Sequence, residues 1–206
     1  MREVSYDLVR GYLPLIFEIL KKIGDIVNTV LIKEIEIMVE AKKKAPKAES
    51  VIRAKSFLVK AIQKNDTKTL EKIMKAGYPV EEPIQVFMMQ TPLMYAASVG
   101  QPEVLEMLFN YNPDLRAVDI AGRTALHYCC RGGNLQNLRV MIAKITDPLL
   151  LEAQSNGGVT PLMAAIQSGN VYMVGHCLNS SFNPFAIDYT GRSCQDYSEP
   201  FKALSG

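Results

Sequence analysis

Two histidines and four cysteines are the side chains of this 206-residue chain best suited to metal or nucleophile chemistry. A zinc site needs four donors converging on one ion, usually from short ligand knuckles. His127, Cys129 and Cys130 lie close together, and His176, Cys177 and Cys194 follow later, but no knuckle spacing joins them. No C-x-x-C pair occurs, and adjacent cysteines rarely bridge each other. The thiols therefore fit a reducing compartment rather than a disulfide framework. A Ser-His-Asp arrangement would have to use one of the two imidazoles, and no G-x-S-x-G elbow presents a serine. Neither G-x-x-x-x-G-K-[ST] nor G-x-G-x-x-G is present to cradle a phosphate. Glu81-Glu82 sits in a polar connection with no sign of acid–base work. The sequence supports no enzymatic function and calls for no cofactor and no metal.

The elements that position these residues come from an internal repeat. Thr91-Pro92-Leu93-Met94-Tyr95-Ala96-Ala97-Ser98-Val99-Gly100 aligns with Thr124-Ala125-Leu126-His127-Tyr128-Cys129-Cys130-Arg131-Gly132-Gly133. It aligns again with Thr160-Pro161-Leu162-Met163-Ala164-Ala165-Ile166-Gln167-Ser168-Gly169. The threonines are 33 and 36 residues apart, and a further 33 leads to Ser193. Backwards, Ser56 to Asn65 fits at an offset of 35. A second apolar helix follows each segment, as in Val104 to Phe109, Leu138 to Ile142 and Met173 to Leu178.

In period and in its T-P-L-H-x-A-like signature the chain resembles the ankyrin-repeat family over about residues 55–206. That resemblance implies an all-α solenoid of helix-turn-helix units with short β-hairpin-like fingers between them. Asp119 to Arg123, Asn156 to Gly158 and Asp188 to Arg192 match the finger turns. Thr at each helix start would cap free N–H groups, and Pro92 and Pro161 suit the first turn, where a missing N–H costs nothing. Leu58, Leu93, Leu126 and Leu162 would point into the core. Paired small residues, Ala96-Ala97 and Cys129-Cys130, would let helices approach. Gly100, Gly133 and Gly169 would end first helices in a left-handed conformation. In the family, the histidine at the place of His127 ties down the neighbouring finger. An expansion around Thr146 to Leu151 precedes the finger at Asn156 to Gly158. The final unit reads as a C-terminal cap of one short helix, Ser193 to Leu204, interrupted by Pro200.

Ahead of the repeats, Leu13, Ile16, Leu20, Ile23, Val27 and Val30 recur at helical spacing, predicting a long amphipathic helix. Pro46 stops it, and Ala41 to Ser50 reads as a basic linker. The division is thus 1–45, helix and linker, and 46–206, about four helix-pair units with a truncated cap. Glu18, Lys21, Lys22 and Asp25 interrupt the most apolar stretch, which makes a membrane-spanning helix costly.

The net charge is +2, so no global polyanion argument exists. Residues 42–80 carry eleven basic and three acidic side chains, while residues 81–206 carry seven and eleven. The lysine-rich first unit suits a terminal unit that must face water. It lacks interleaved aromatic residues beyond Phe57, so no specific nucleic acid is predicted.

The resemblance implies a protein-protein interaction module; the apolar N-terminal helix and the Met- and Phe-bearing connection Val80 to Gln90 favour a scaffold or structural subunit of a stable complex, bound through the concave face and that helix. Its concave face would hold first-helix residues Lys60, Gln63, Lys64, Tyr95, Ser98, Tyr128, Arg131, Ala164 and Gln167, and finger residues Ile120, Arg123, Val159, Tyr189 and Arg192. Tyr and Arg concentrate interface energy, which favours Tyr95, Tyr128, Tyr189 and Arg131 as anchors. The alternative is a peripheral membrane- or organelle-associated adaptor whose residues 12–39 contact a membrane surface. An intracellular, cytoplasmic location is expected.

Overall fold

The computed structural model describes residues 48–85 and 87–202. The heptad-like stripe, the division at residue 45 and the candidate membrane contact at 12–39 lie outside the described residues. Within them the helices are α1 (Ala48–Gln63), α2 (Thr67–Lys75), α3 (Pro92–Val99), α4 (Pro102–Phe109) and α5 (Ala125–Gly132). α6 (Leu135–Lys144), α7 (Pro161–Gln167), α8 (Val171–Asn179) and α9 (Cys194–Lys202) follow. A single 3₁₀ turn, Pro148–Glu152, takes up the expansion before α7. Odd-numbered helices from α1 to α7 are first helices and stack on one another; α2, α4, α6 and α8 back them. The connections at residues 85–90 and 187–193 each close with an isolated antiparallel bridge, and the described residues form no strand.

Local chemistry starts these helices. Thr91 Oγ1 accepts the Met94 N–H at 3.3 Å, and Thr160 Oγ1 accepts that of Met163 at the same distance. Asn134 caps α6 and Asn170 caps α8, each taking two backbone N–H groups. Asp66 caps α2 through Thr69. These bonds satisfy donors that a helix leaves orphaned in its first turn.

The core runs as a continuous spine. Leu58, Leu93, Leu126 and Leu162 are all buried, as the repeat register predicts, and Leu70, Leu105, Leu138 and Met173 meet them from the second helices. Each such side chain contributes about 1.5–3 kcal/mol by leaving water. Single helix pairs cannot enclose these leucines, so the units are stable only as neighbours. Close approach needs small residues. Ala96, Ala97, Cys129 and Cys130 are buried, and a Cβ on Gly132 would stand 2.5 Å from the Ser98 carbonyl oxygen.

Three expectations about helix ends are corrected. Helix α1 begins at Ala48, so Ser56 lies inside it instead of capping it, and the basic linker ends before residue 48. The residues before Ser56 include good helix formers, and nothing equivalent to Pro92 resets the chain there. Gly100 is not left-handed: its φ is −78° and ψ 174°. It precedes Gln101, which Pro102 restricts to extended backbone, and α4 lacks a side-chain cap. Gly133 and Gly169 do adopt positive φ, and Asn65 takes the same role in the first unit at φ 54°. Helix α9 passes through Pro200 and continues to Lys202.

Candidate protein-binding groove

The finger turns are stitched to one another by backbone. Ile120 N–H donates to Met88 O at 3.2 Å, Asn156 N–H to Ala121 O at 2.8 Å, and Tyr189 N–H to Gly157 O at 3.1 Å. The Asn156 side chain adds a bond to Ile120 O at 3.0 Å. Gly122 permits this approach, with φ +74° and space that a Cβ would fill only 2.4 Å from Asn156 Oδ1. The fingers therefore form one layer along the first helices.

Each of two fingers is locked to its own helix by the same clasp. Asp119 Oδ1 accepts the N–H groups of Ala121 and Arg123, both at 2.8 Å. Its Oδ2 accepts Arg123 Nε at 2.8 Å and the Tyr128 hydroxyl at 2.6 Å, and the guanidinium lies over the Tyr128 ring. Asp188, Arg192 and Tyr197 repeat the arrangement, with Nε at 2.9 Å and the hydroxyl at 2.7 Å from Oδ2. Burial alone raises the Asp119 carboxyl, but the bonds from Tyr128 and Arg123 outweigh it and hold the group below its usual range. The same balance holds Asp188 well below the carboxylate range, with Thr190 and Tyr197 as the main donors. Burial, then the neighbouring carboxylate, pushes Tyr128 and Tyr197 each up to about 12.

His127 links one unit to the next. The Thr124 backbone N–H donates to Nδ1 at 3.1 Å, which makes Nδ1 an acceptor and leaves the proton on Nε2. Nε2 then donates to Val159 O at 2.9 Å, on the following finger. This is the tie that the resemblance implies. Met94 and Met163 hold the equivalent places. The Thr160 N–H reaches only the weak Met163 sulfur acceptor, at 3.5 Å.

Between α5, α7 and their fingers a cleft of about 250 Å³ opens, lined by Arg123, Tyr128, Arg131, Asn156, Ala164 and Gln167 among others. On the second-helix side a wider groove of about 790 Å³ runs over Glu71, Glu106, Arg139 and Lys144. No sequence argument pointed there.

The family pattern described as ankyrin repeats (3 copies) matches residues 58–149 and 93–188 of this chain, more than half its length. The chain belongs to the ankyrin-repeat family. It is 31% identical over 91 residues to ankyrin repeat and KH domain-containing protein mask-1 of Caenorhabditis elegans, covering 44% of this chain and 3% of that protein. It is 35% identical over 88 residues to human NF-kappa-B inhibitor alpha, covering 41% and 28%, respectively. With NF-kappa-B inhibitor delta of Mus musculus the figures are 30% over 107 residues, 48% and 32%. The ankyrin chain thus spans less than a third of each of these relatives. Among its described residues, no helix is long and apolar enough to cross a membrane, and no group of three or more His, Cys, Asp or Glu side chains gathers as metal ligands.

The ankyrin frame sorts the sequence-predicted residues. Arg123, Tyr128, Arg131 and Gln167 meet at the cleft. Tyr95 is half-buried and accepts Gln63 Nε2 at 2.6 Å, joining the first two units along the same face. Ser98 is half-buried; Lys60 and Lys64 are exposed. Tyr189 and Arg192 stand at the last finger and do not line that cleft. Tyr189 is 69% exposed, whereas the Arg192 guanidinium is held by Asp188. The predicted exposure of Ala164 fails: it is 4% exposed, on α7, which packs closely against α5. The clasp also engages two of these residues, Arg123 through Nε and Nη2 and the anchor Tyr128 through its hydroxyl. Sequence reasoning missed the clasp, although Asp-x-x-Gly-Arg followed by Tyr five residues on occurs twice in the chain. It missed Asn137 too, whose Nδ2 reaches Gly100 O at 3.0 Å.

Proposed function

We propose that this chain is a protein-binding module, acting as a scaffold or structural subunit through the groove of first helices and fingers. Ankyrin repeats mediate protein-protein interaction. The observation that supports the groove here is the cleft over α5 and α7, where Arg131 and Gln167 are exposed and carry polar groups not used by the clasps. Tyr95, Ser98, Lys60 and Lys64 extend that surface toward the first unit. A rigid, prestitched finger layer presents these groups with little ordering cost on binding.

The test is affinity recovery of partners by the tagged full chain against a Tyr95→Ala, Arg131→Ala, Gln167→Ala variant. Tyr128 is left intact because its hydroxyl holds the clasp. Loss of the recovered proteins with unchanged circular dichroism supports the groove; undiminished recovery rejects it. Flotation with liposomes, with and without residues 1–45, tests the membrane-adaptor alternative.

A further inference from the structure

We propose that the groove takes an extended acidic segment of a partner protein, with one carboxylate on Arg131 and a second on Lys60 and Lys64. This deepens the reading above and rests on it.

The charge distribution carries the argument. Arg131, Lys60 and Lys64 are exposed, and none has a carboxylate partner among the described residues. The acids of the finger turns themselves, Asp119 and Asp188, are both committed. Asp119 and Asp188 are buried in their clasps, Glu82 meets Lys55 at 2.7 Å, and Glu81 takes the Asp114 N–H at 2.7 Å. The groove is therefore cationic in a chain whose residues 81–206 carry an acidic excess. A like charge brought to it has nothing to meet; an anion has three free partners.

Spacing gives the segment its form. Arg131 sits on α5 and Lys60 on α1, two first-helix steps away. Packed helices lie about 8–10 Å apart, so the cations are separated by roughly 16–20 Å. An extended chain advances about 3.3 Å per residue, which places the two acidic side chains roughly five or six residues apart. Between them the groove offers the Tyr95 hydroxyl and Ser98, with the Gln167 amide past Arg131. These suit uncharged polar side chains or backbone. Exposed Phe87 and Ile120 on the finger tips add an apolar lip. The rings are poorly placed for nucleic acid: Arg123 covers the Tyr128 face, Tyr95 is half-buried, and base stacking needs open faces.

The experiment selects binders to the full chain from a random linear peptide library of about 12 residues, long enough to cross the groove. The expected winners carry paired Asp or Glu at that separation. Their affinity falls roughly tenfold with Arg131→Glu or Lys60→Glu and falls with added salt, while Lys144→Glu on the second-helix side leaves it unchanged. Winners without an acidic excess, or acidic winners indifferent to Arg131→Glu and Lys60→Glu, overturn the proposal. If non-acidic winners still lose binding with Tyr95→Ala or Gln167→Ala, the groove remains a protein site and only its acidic occupant falls. If no groove substitution affects any winner, or no peptide is selected, both readings fall. A uridine-rich single-stranded RNA that binds more tightly than the peptides and is lost with Arg131→Glu also overturns the assignment. Thermal melts of each variant establish that the fold is retained.

Discussion

The Nε2 proton of His127 is given to the carbonyl of Val159, 2.9 Å away and 32 residues further along the chain. One imidazole thereby joins the start of α5 to the next finger, and its other nitrogen is spent on Thr124. Burial lowers the affinity of this ring for a second proton. The unfolded chain, with an ordinary histidine near pH 6.5, binds that proton more readily, so stability falls as pH drops below that value. Urea unfolding at pH 7.5 and at pH 5.5 should show the loss. His127→Gln should cost about 2 kcal/mol at the higher pH and flatten the difference between the two.

Asp119→Ala should cost about 3 kcal/mol, because it leaves the Arg123 guanidinium, the Tyr128 hydroxyl and two backbone N–H groups without their acceptor. Asp188→Ala should act in the same direction but loosen chiefly α9, since repeat units depend on their neighbours alone. Both carboxyls are held below their usual range, so their contribution is complete above about pH 4 and disappears as acid protonates them. Hydrogen exchange on each variant should locate the loss.

Three glycines should answer differently to alanine. At Gly132 the new methyl meets the Ser98 carbonyl, so α3 and α5 must part, at a cost of about 2 kcal/mol. At Gly175, inside α8, nothing stands within 4 Å, and alanine should stabilise the protein by about 0.5–1 kcal/mol through helix propensity. Gly157→Ala, also in open space, should change stability by less than about 0.5 kcal/mol. Urea midpoints at unchanged slope would establish all three signs.

The thiols should report on fraying of the stack. Cys129, Cys130 and Cys177 have no exposed surface, and burial raises Cys129; Cys130 and Cys177 lie 3.9 Å apart, sulfur to sulfur. In native conditions a thiol reagent should therefore modify Cys194 first, because α9 has a neighbour on one side only among the described helices. Simultaneous modification of all four would mean that the units open together.

Much of this architecture was legible in the residues themselves. A period near 33, Thr-Pro starts and apolar positions at fixed register determine which leucines are buried, because each unit can hide its oily face only against the next. The His127 tie was legible as well, through the family likeness. What the tertiary structure alone decided is which polar side chains are free. Arg123 reads as a concave-face residue in the sequence and Tyr128 as an anchor, yet Asp119 engages both, and that engagement depends on a finger folding back over its own helix. Ala164 reads as surface but is buried, and Gly100 reads as left-handed but is extended ahead of Pro102. Local propensity and periodicity follow from chain geometry over a few residues. Exposure and hydrogen-bond partnership depend on groups about 33 positions away, brought together only when the units stack.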